Sequence, residues 1–174
     1  FKVARSTLQV LDEFAPDRRD YVIKQLGEVN KRWEAFEWRR AEIAVRQASD
    51  NVQYREALAV IDAYRKDKEP FVKRDADAEK LRARVITEWN GKFVEDLRQV
   101  EVAVRDVKEF DNKKAIIENP GLPPEEMRSA ELRELIDAKW GGLCKSYDRL
   151  LYGTVTELIR KLDKGIVQRW DELA

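Results

Sequence analysis

Histidine is absent from the 174 residues, and cysteine occurs once, as Cys144. The missing imidazole removes the commonest general acid–base and the commonest transition-metal ligand. A single thiol permits no internal disulfide and no cysteine-cluster zinc site. An excess of either charge is missing too: 34 Lys and Arg balance 34 Asp and Glu, a formal charge of zero. Such a chain has no long-range field to gather nucleic acid or anionic lipid. No apolar run approaches the roughly 18 residues that span a bilayer, and no signal peptide opens the sequence. The sequence opens on Phe1 rather than Met, which reads as an excised fragment. These absences leave no catalytic, cofactor or metal residue to assign. The expectation is a cytoplasmic non-enzyme.

What the chain does contain is helix-forming sequence with sparse punctuation. Only five prolines occur, at 16, 70, 120, 123 and 124. Proline cannot continue a helix and displaces its predecessor from helical geometry, so these mark boundaries. The stretches between them are Phe1–Phe14, Asp17–Asp67, Phe71–Asn119 and Pro124–Ala174. Each of the last three is about fifty residues, or roughly 75 Å as one helix. Ala, Leu, Glu, Lys, Arg and Gln fill them, and acids precede bases by four residues at Glu109/Lys113 and Glu157/Lys161 among others. No stretch sustains period-two alternation, so strands are not expected.

Apolar spacing supplies the packing. Steps of three and four through the second stretch give Leu26, Val29, Trp33, Phe36, Arg40, Ile43, Gln47, Asp50, Tyr54, Ala57, Ile61 and Tyr64, nine of them apolar. That is a coiled-coil seam, and it predicts one continuous helix over Asp17–Asp67. The third stretch runs Leu81, Val85, Trp89, Phe93, Leu97, Val100, Val104 and Val107. The last runs Ile136, Trp140, Leu143, Tyr147 and Leu150, changes phase near Gly153, and continues to Ile166 and Trp170. The expected core is Trp33, Phe36, Trp89, Phe93, Trp140, Leu143 and Leu150. Trp38 lies off the main stripe, where it either packs against a third helix or stays partly exposed; in the second case Trp38, Arg39 and Arg40 are the candidate interaction surface. Gly141-Gly142 matches no phosphate loop and is read as permitting close approach or local bending. Cys144, with no histidine to activate it, is read as packing rather than chemistry.

Sliding the sequence by 107 positions superposes Val10 on Ile117, Pro16 on Pro123, Val29 on Ile136 and Trp33 on Trp140. A shared heptad alone would not align the prolines, so an internal repeat is inferred. Leu122-Pro123-Pro124-Glu125-Glu126 then leads into Leu135-Ile136-Asp137-Ala138-Lys139-Trp140-Gly141-Gly142-Leu143, with Glu157-Leu158-Ile159-Arg160-Lys161-Leu162 downstream. This run resembles the helix C to helix A junction of spectrin repeats, most closely those of α-actinin-type rods. The family usually carries a second tryptophan early in helix A, where Val45 and Tyr152 stand here.

The resemblance implies an all-α chain of elongated, antiparallel three-helix bundles with long continuous helices. It divides the sequence into the end of one repeat (1–38), a central repeat (39–150) and the start of a third (151–174). The implied function is a structural rod, or spacer, and protein-interaction segment of a cytoskeletal cross-linking or scaffold protein. Its implied partners are proteins: a second rod in a homodimer, and actin or other cytoskeletal proteins through modules outside this stretch. Two alternatives share the helical content. A BAR-like dimeric membrane-curvature module needs a concentrated basic face, which a net charge of zero does not supply. A helical-repeat, peptide-binding scaffold should repeat every 34–47 residues or so, and similarity at an offset of 56 is confined to Trp33/Trp89 and Tyr54/Phe110. Neither nucleic-acid nor membrane binding is expected.

Overall fold

A computed structural model describes residues 1–67 and 74–173; the side chains of 16, 165–168 and 170–173 are outside the described set. The boundary at Pro70, the start at Phe71 and the seam positions Ile166 and Trp170 therefore lie outside what is described here. The described residues are helical and contain no strand. Six helices follow in order: α1 (Lys2–Phe14), α2 (Arg19–Asp50), α3 (Tyr54–Lys66), α4 (Asp75–Arg98), α5 (Val107–Ile117) and α6 (Ala130–Leu173). Single 3-10 turns at Pro16–Arg18 and Glu125–Met127 precede α2 and α6. The chain forms two compact units, Phe1–Glu88 and Trp89–Ala174. Their division falls within α4, inside the stretch 39–150 that the sequence reading assigns to one repeat.

In the first unit the expected single helix over Asp17–Asp67 is broken. The chain turns at Asn51-Val52-Gln53, and α3 packs against α2. The buried register explains the break. Trp33, Trp38, Ala41 and Val45 face inward on α2, whereas Tyr54, Ala57, Ile61 and Tyr64 do so on α3. Between Val45 and Tyr54 the three–four pattern slips by two positions, about 200° around a straight helix. One unbroken helix would carry its two apolar faces on nearly opposite sides. Turning the chain brings them together, and each large side chain so buried contributes about 1.5–3 kcal/mol. The turn has the hydrogen bonds of a Schellman cap: Gln53 N–H donates to Ala48 O at 2.8 Å and Val52 N–H to Ser49 O at 2.9 Å. Val52 occupies the left-handed position of that cap, at φ 61°, where glycine is usual. For a β-branched residue this costs about 1–2 kcal/mol, less than the packing gained.

The inward register corrects one assignment and decides another. Phe36, expected in the core, is 54% exposed, and Trp38, open to either packing or exposure, is 7% exposed and so packed. Two apolar stripes compete on α2. The one through Phe36 and Ile43 includes Arg40, and burying that guanidinium would need a buried partner. Trp33 borders both stripes; the one through Trp38, Ala41 and Val45 avoids Arg40, and packing selects it. Trp38 meets Tyr64 edge-on, with ring centroids 5.3 Å apart.

The sequence leaves open whether Phe71–Asn119 is one helix or kinks at Asn90-Gly91; in the second unit α4 runs through that pair, and the interruption comes after Arg98. After a turn at Gln99 and before a bend at Arg105-Asp106, residues 100–104 leave the helix as an extended segment, with Val100 buried, Val102 and Val104 half-buried, and Glu101 and Ala103 exposed. This is a short period-two alternation of β-branched residues, contrary to the expectation of none, and the pattern favours extended backbone. No strand pairs with it; helix side chains satisfy part of its backbone. Lys139 Nζ donates to Val100 O at 2.6 Å, Lys113 Nζ to Ala103 O at 2.5 Å, and Val104 N–H donates to Ser146 Oγ at 3.0 Å. Asp106 then caps α5 by accepting from Glu109 N–H at 2.7 Å. Val94, Leu97, Val100, Ile117, Leu122, Leu132 and Leu143 form the core, flanked by Phe93, Phe110 and Trp140. The proline loop before α6 is tied down by two buried polar groups. Trp89 Nε1–H donates to Gly121 O at 2.9 Å, while Asn90 donates to Met127 O at 2.9 Å and accepts from Ser129 N–H at 2.7 Å. α6 passes Gly153 without a break, so the phase change there leaves the helix intact.

Candidate functional site

The most developed surface site lies in the first unit, where α2 meets the end of α3. Ala41, Ala44, Val60, Ala63 and Tyr64 floor a shallow cleft rimmed by Glu37, Arg40 and Asp67. The same three rim residues border a second depression with Phe1, Lys2, Val3 and Trp33. The small alanines explain the hollow: they bring helices close without filling the space between them. Arg40 lies beside Glu37 at 3.8 Å, an exposed pair worth at most about 1 kcal/mol. Its guanidinium stays in solvent, as does Arg39. The candidate trio is thus divided, with Arg39 and Arg40 exposed and Trp38 beneath them in the core. Phe1 stacks near-parallel on Trp33 at 6.3 Å and reaches Phe36 at 5.8 Å.

Near this cleft, Glu34 and Arg74 make a contact that seam reading does not find. Glu34 is nearly buried, and its carboxylate accepts from Arg74 Nε at 2.5 Å and Nη2 at 3.3 Å. Arg74 N–H also donates to the Tyr64 hydroxyl at 3.2 Å. Donating to the Glu34 carboxylate raises the Arg74 pKa above its already high ordinary value. Burial pushes the Tyr64 phenol upward, so it stays neutral and available as an acceptor. One sequence signal for this pair was present: Glu34 adjoins Trp33 and falls on the stripe that continues through Trp38, Ala41 and Val45. An acid on an apolar stripe calls for a cation.

The remaining core assignments fall in the second unit or on α2. Trp33, Trp89 and Leu143 are buried, whereas Phe93, Trp140 and Leu150 are half-buried. Lys114 covers the Trp140 ring at 5.7 Å, and Phe110 stacks on Tyr147 at 4.1 Å. Gly142 provides the close approach expected of the glycine pair: a Cβ there would lie 3.2–3.3 Å from Val102. Its partner is the extended segment rather than another helix. Gly141 faces open space. Cys144 is a half-buried free thiol.

Among the described residues, no three His, Cys, Asp or Glu side chains converge as metal ligands, and no helix is long and apolar enough to cross a membrane. The cleft presents charge around an apolar floor. That suits the docking of a side chain. Comparison with known proteins found no matching family model, curated protein or solved structure. The spectrin-type assignment rests on sequence pattern alone.

Proposed function

We propose that this chain is a non-enzymatic helical spacer and protein-interaction segment, built of spectrin-like three-helix repeats, within a cytoskeletal cross-linking or scaffold protein. The observation that carries the reading is α6, a single helix of 44 residues. At 1.5 Å per residue it is about 66 Å long, far beyond the ordinary three-turn helix. Its first half packs into the second unit, and its second half projects a further apolar stripe. A helix that completes one packed unit and offers the seam of another is how a rod is propagated. The neutral, charge-dense composition suits such a role, since wide helix faces remain for water or a partner. In this reading the repeat boundaries are 1–38, 39–150 and 151–174, and the partners are cytoskeletal proteins.

Small-angle scattering tests the proposal. A compact globule of this length has a radius of gyration near 16 Å. The spacer reading requires a value well above that, with a pair-distance distribution skewed to long distances. A value at the compact limit would remove the reading.

A further inference from the structure

The extended segment from Val100 to Val104 has two edges, and only one of them is closed. In extended backbone the N–H and C=O of one residue point to the same side, and those of the next residue to the other. Val100, Val102 and Val104 therefore share an edge, where Lys139 Nζ donates to Val100 O and Val104 N–H donates to Ser146 Oγ. Lys139 and Ser146 both belong to α6, which seals that side. Glu101 and Ala103 share the opposite edge, and both are exposed. There Lys113 Nζ of α5 donates to Ala103 O, whereas Glu101 N–H, Glu101 O and Ala103 N–H have no protein partner among the described residues. We propose that this open edge takes up a basic, extended segment of a partner protein as an added antiparallel strand. The edge lies apart from the outer stripe of α6, and the proposal does not rest on the spacer reading.

Unpaired N–H and C=O groups along an exposed, extended backbone are the template on which strand addition works. A helix keeps its own backbone groups paired and cannot use them. An antiparallel strand exchanges N–H and C=O with Glu101 through one of its residues and with Ala103 through another, two positions away. The bond to Ala103 O requires Lys113 to withdraw, and Glu109, 2.8 Å from its ammonium, remains to hold it. Charge then selects the occupant. A hollow beside this edge has Asp96, Glu101 and Glu109 on its walls against Lys113 alone. Asp96 pairs with Lys92 and Glu109 with Lys113, while Glu101 has no cation among the described residues. A residue paired with Glu101 carries its side chain on the same face, so Lys or Arg there meets an unpaired carboxylate. The residues on either side of it turn to the opposite face. Val100 and Ile116 are the apolar members of the hollow, and Ile116 is 43% exposed without an added strand. The edge therefore recognises a segment that alternates basic and apolar residues. The same acids repel a nucleic-acid backbone.

The test is a titration of the nitrogen-15-labelled chain, followed by NMR, with a capped six-residue peptide alternating valine and lysine. Few backbone bonds form, each of small net worth, so saturable binding with a Kd of about 0.1–1 mM is expected, with the largest amide shifts at Glu101 and Ala103. A peptide alternating valine and glutamate should bind at least about tenfold more weakly. N-methylating the lysine residues removes the donors aimed at Glu101 O and Ala103 O and should weaken binding at least about tenfold. N-methylating the valines instead, with the same charge, should leave it within about twofold. Ala103→Pro deletes an edge donor whose N–H is unpaired and should weaken binding at least about tenfold. Glu101→Lys changes only an exposed side chain and should reverse the preference between the two peptides, with circular dichroism matching the parent. No saturation by about 5 mM peptide would overturn the proposal. So would equal binding of the two N-methylated peptides, which would mean that charge and apolar contact act without strand pairing. Loss confined to the valine-methylated peptide would overturn the antiparallel direction.

Discussion

Single residues decide more in this chain than its repetitive composition suggests. Glu34 and Arg74 lie forty positions apart, and the nearly buried carboxylate depends on its cation. Arg74→Ala should lower stability by about 1–3 kcal/mol, a figure discounted because the Arg74 side chain is 41% exposed. Glu34→Gln keeps an acceptor for Arg74 while removing the buried charge, so it should cost less. Thermal melts of the two variants give the comparison, and a larger loss for Glu34→Gln would contradict this account. The two neighbouring glycines separate in the same way. Gly141→Ala fills open space and should gain up to about 1 kcal/mol of helix propensity. Gly142→Ala would press a methyl against Val102 at 3.2–3.3 Å, so it should gain less than Gly141→Ala, by about 1 kcal/mol or more, with the Val102 side chain shifted. Chemical shifts of the Val102 methyls would report that displacement.

At this scale the sequence was partly legible. Trp33, Trp89 and Leu143 could be placed inward because neighbours three and four positions away agree with them. Phe36 and Trp38 could not, because α2 carries two apolar stripes and a local pattern cannot say which one finds a partner. Arg40 on the first stripe was the clue that the second would be buried. Glu34 on the buried stripe called for a cation, but which one could not be read: Arg74 is brought to it by tertiary folding, and a balanced sequence offers many equivalent partners.

Helices, turns and the extended segment show where pattern gave way to packing. The all-helical class followed from composition and proline spacing. The breaks did not, because neither coincides with proline or glycine. The turn after α2 is driven by the change of buried face between Val45 and Tyr54, at the expense of a left-handed Val52. Val52→Gly should therefore stabilise the first unit by about 1 kcal/mol. The same change would destabilise a continuous helix by a similar amount, so the sign of the melting shift tells the two architectures apart. The extended segment had a readable signal in its alternating valines, followed by Asp106 three residues before Glu109, an N-cap pattern. Glu109 also accepts from Lys113 at 2.8 Å and from Arg105 N–H at 2.9 Å, and these contacts, the lysine first, hold its carboxyl below the ordinary value. A carboxyl with a depressed folded pKa contributes stability above its unfolded value and loses it as pH falls through the folded one. Melting of the parent chain and Glu109→Gln should thus differ at neutral pH, with the gap closing below about pH 4. A gap that widened with acid would reverse the assignment.

Across the molecule, the helix that joins packed and unpacked regions is the feature with most consequence. Residues of α6 up to Leu150 contribute Leu132 and Leu143 to the second core, whereas none from Leu151 to Lys164 is buried. Isolated helices shorter than about 12–15 residues are marginal in water, because propensity and charge pairs add only tenths of a kilocalorie per residue. The outer half of α6 has no tertiary packing to raise that limit in a single chain. Amide exchange should therefore be slow from Leu132 to Leu150 and much faster from Leu151 to Lys164 in dilute solution. Uniform protection along α6 would mean that the outer helix is stable without packing, and the link between exposure and fraying would fail.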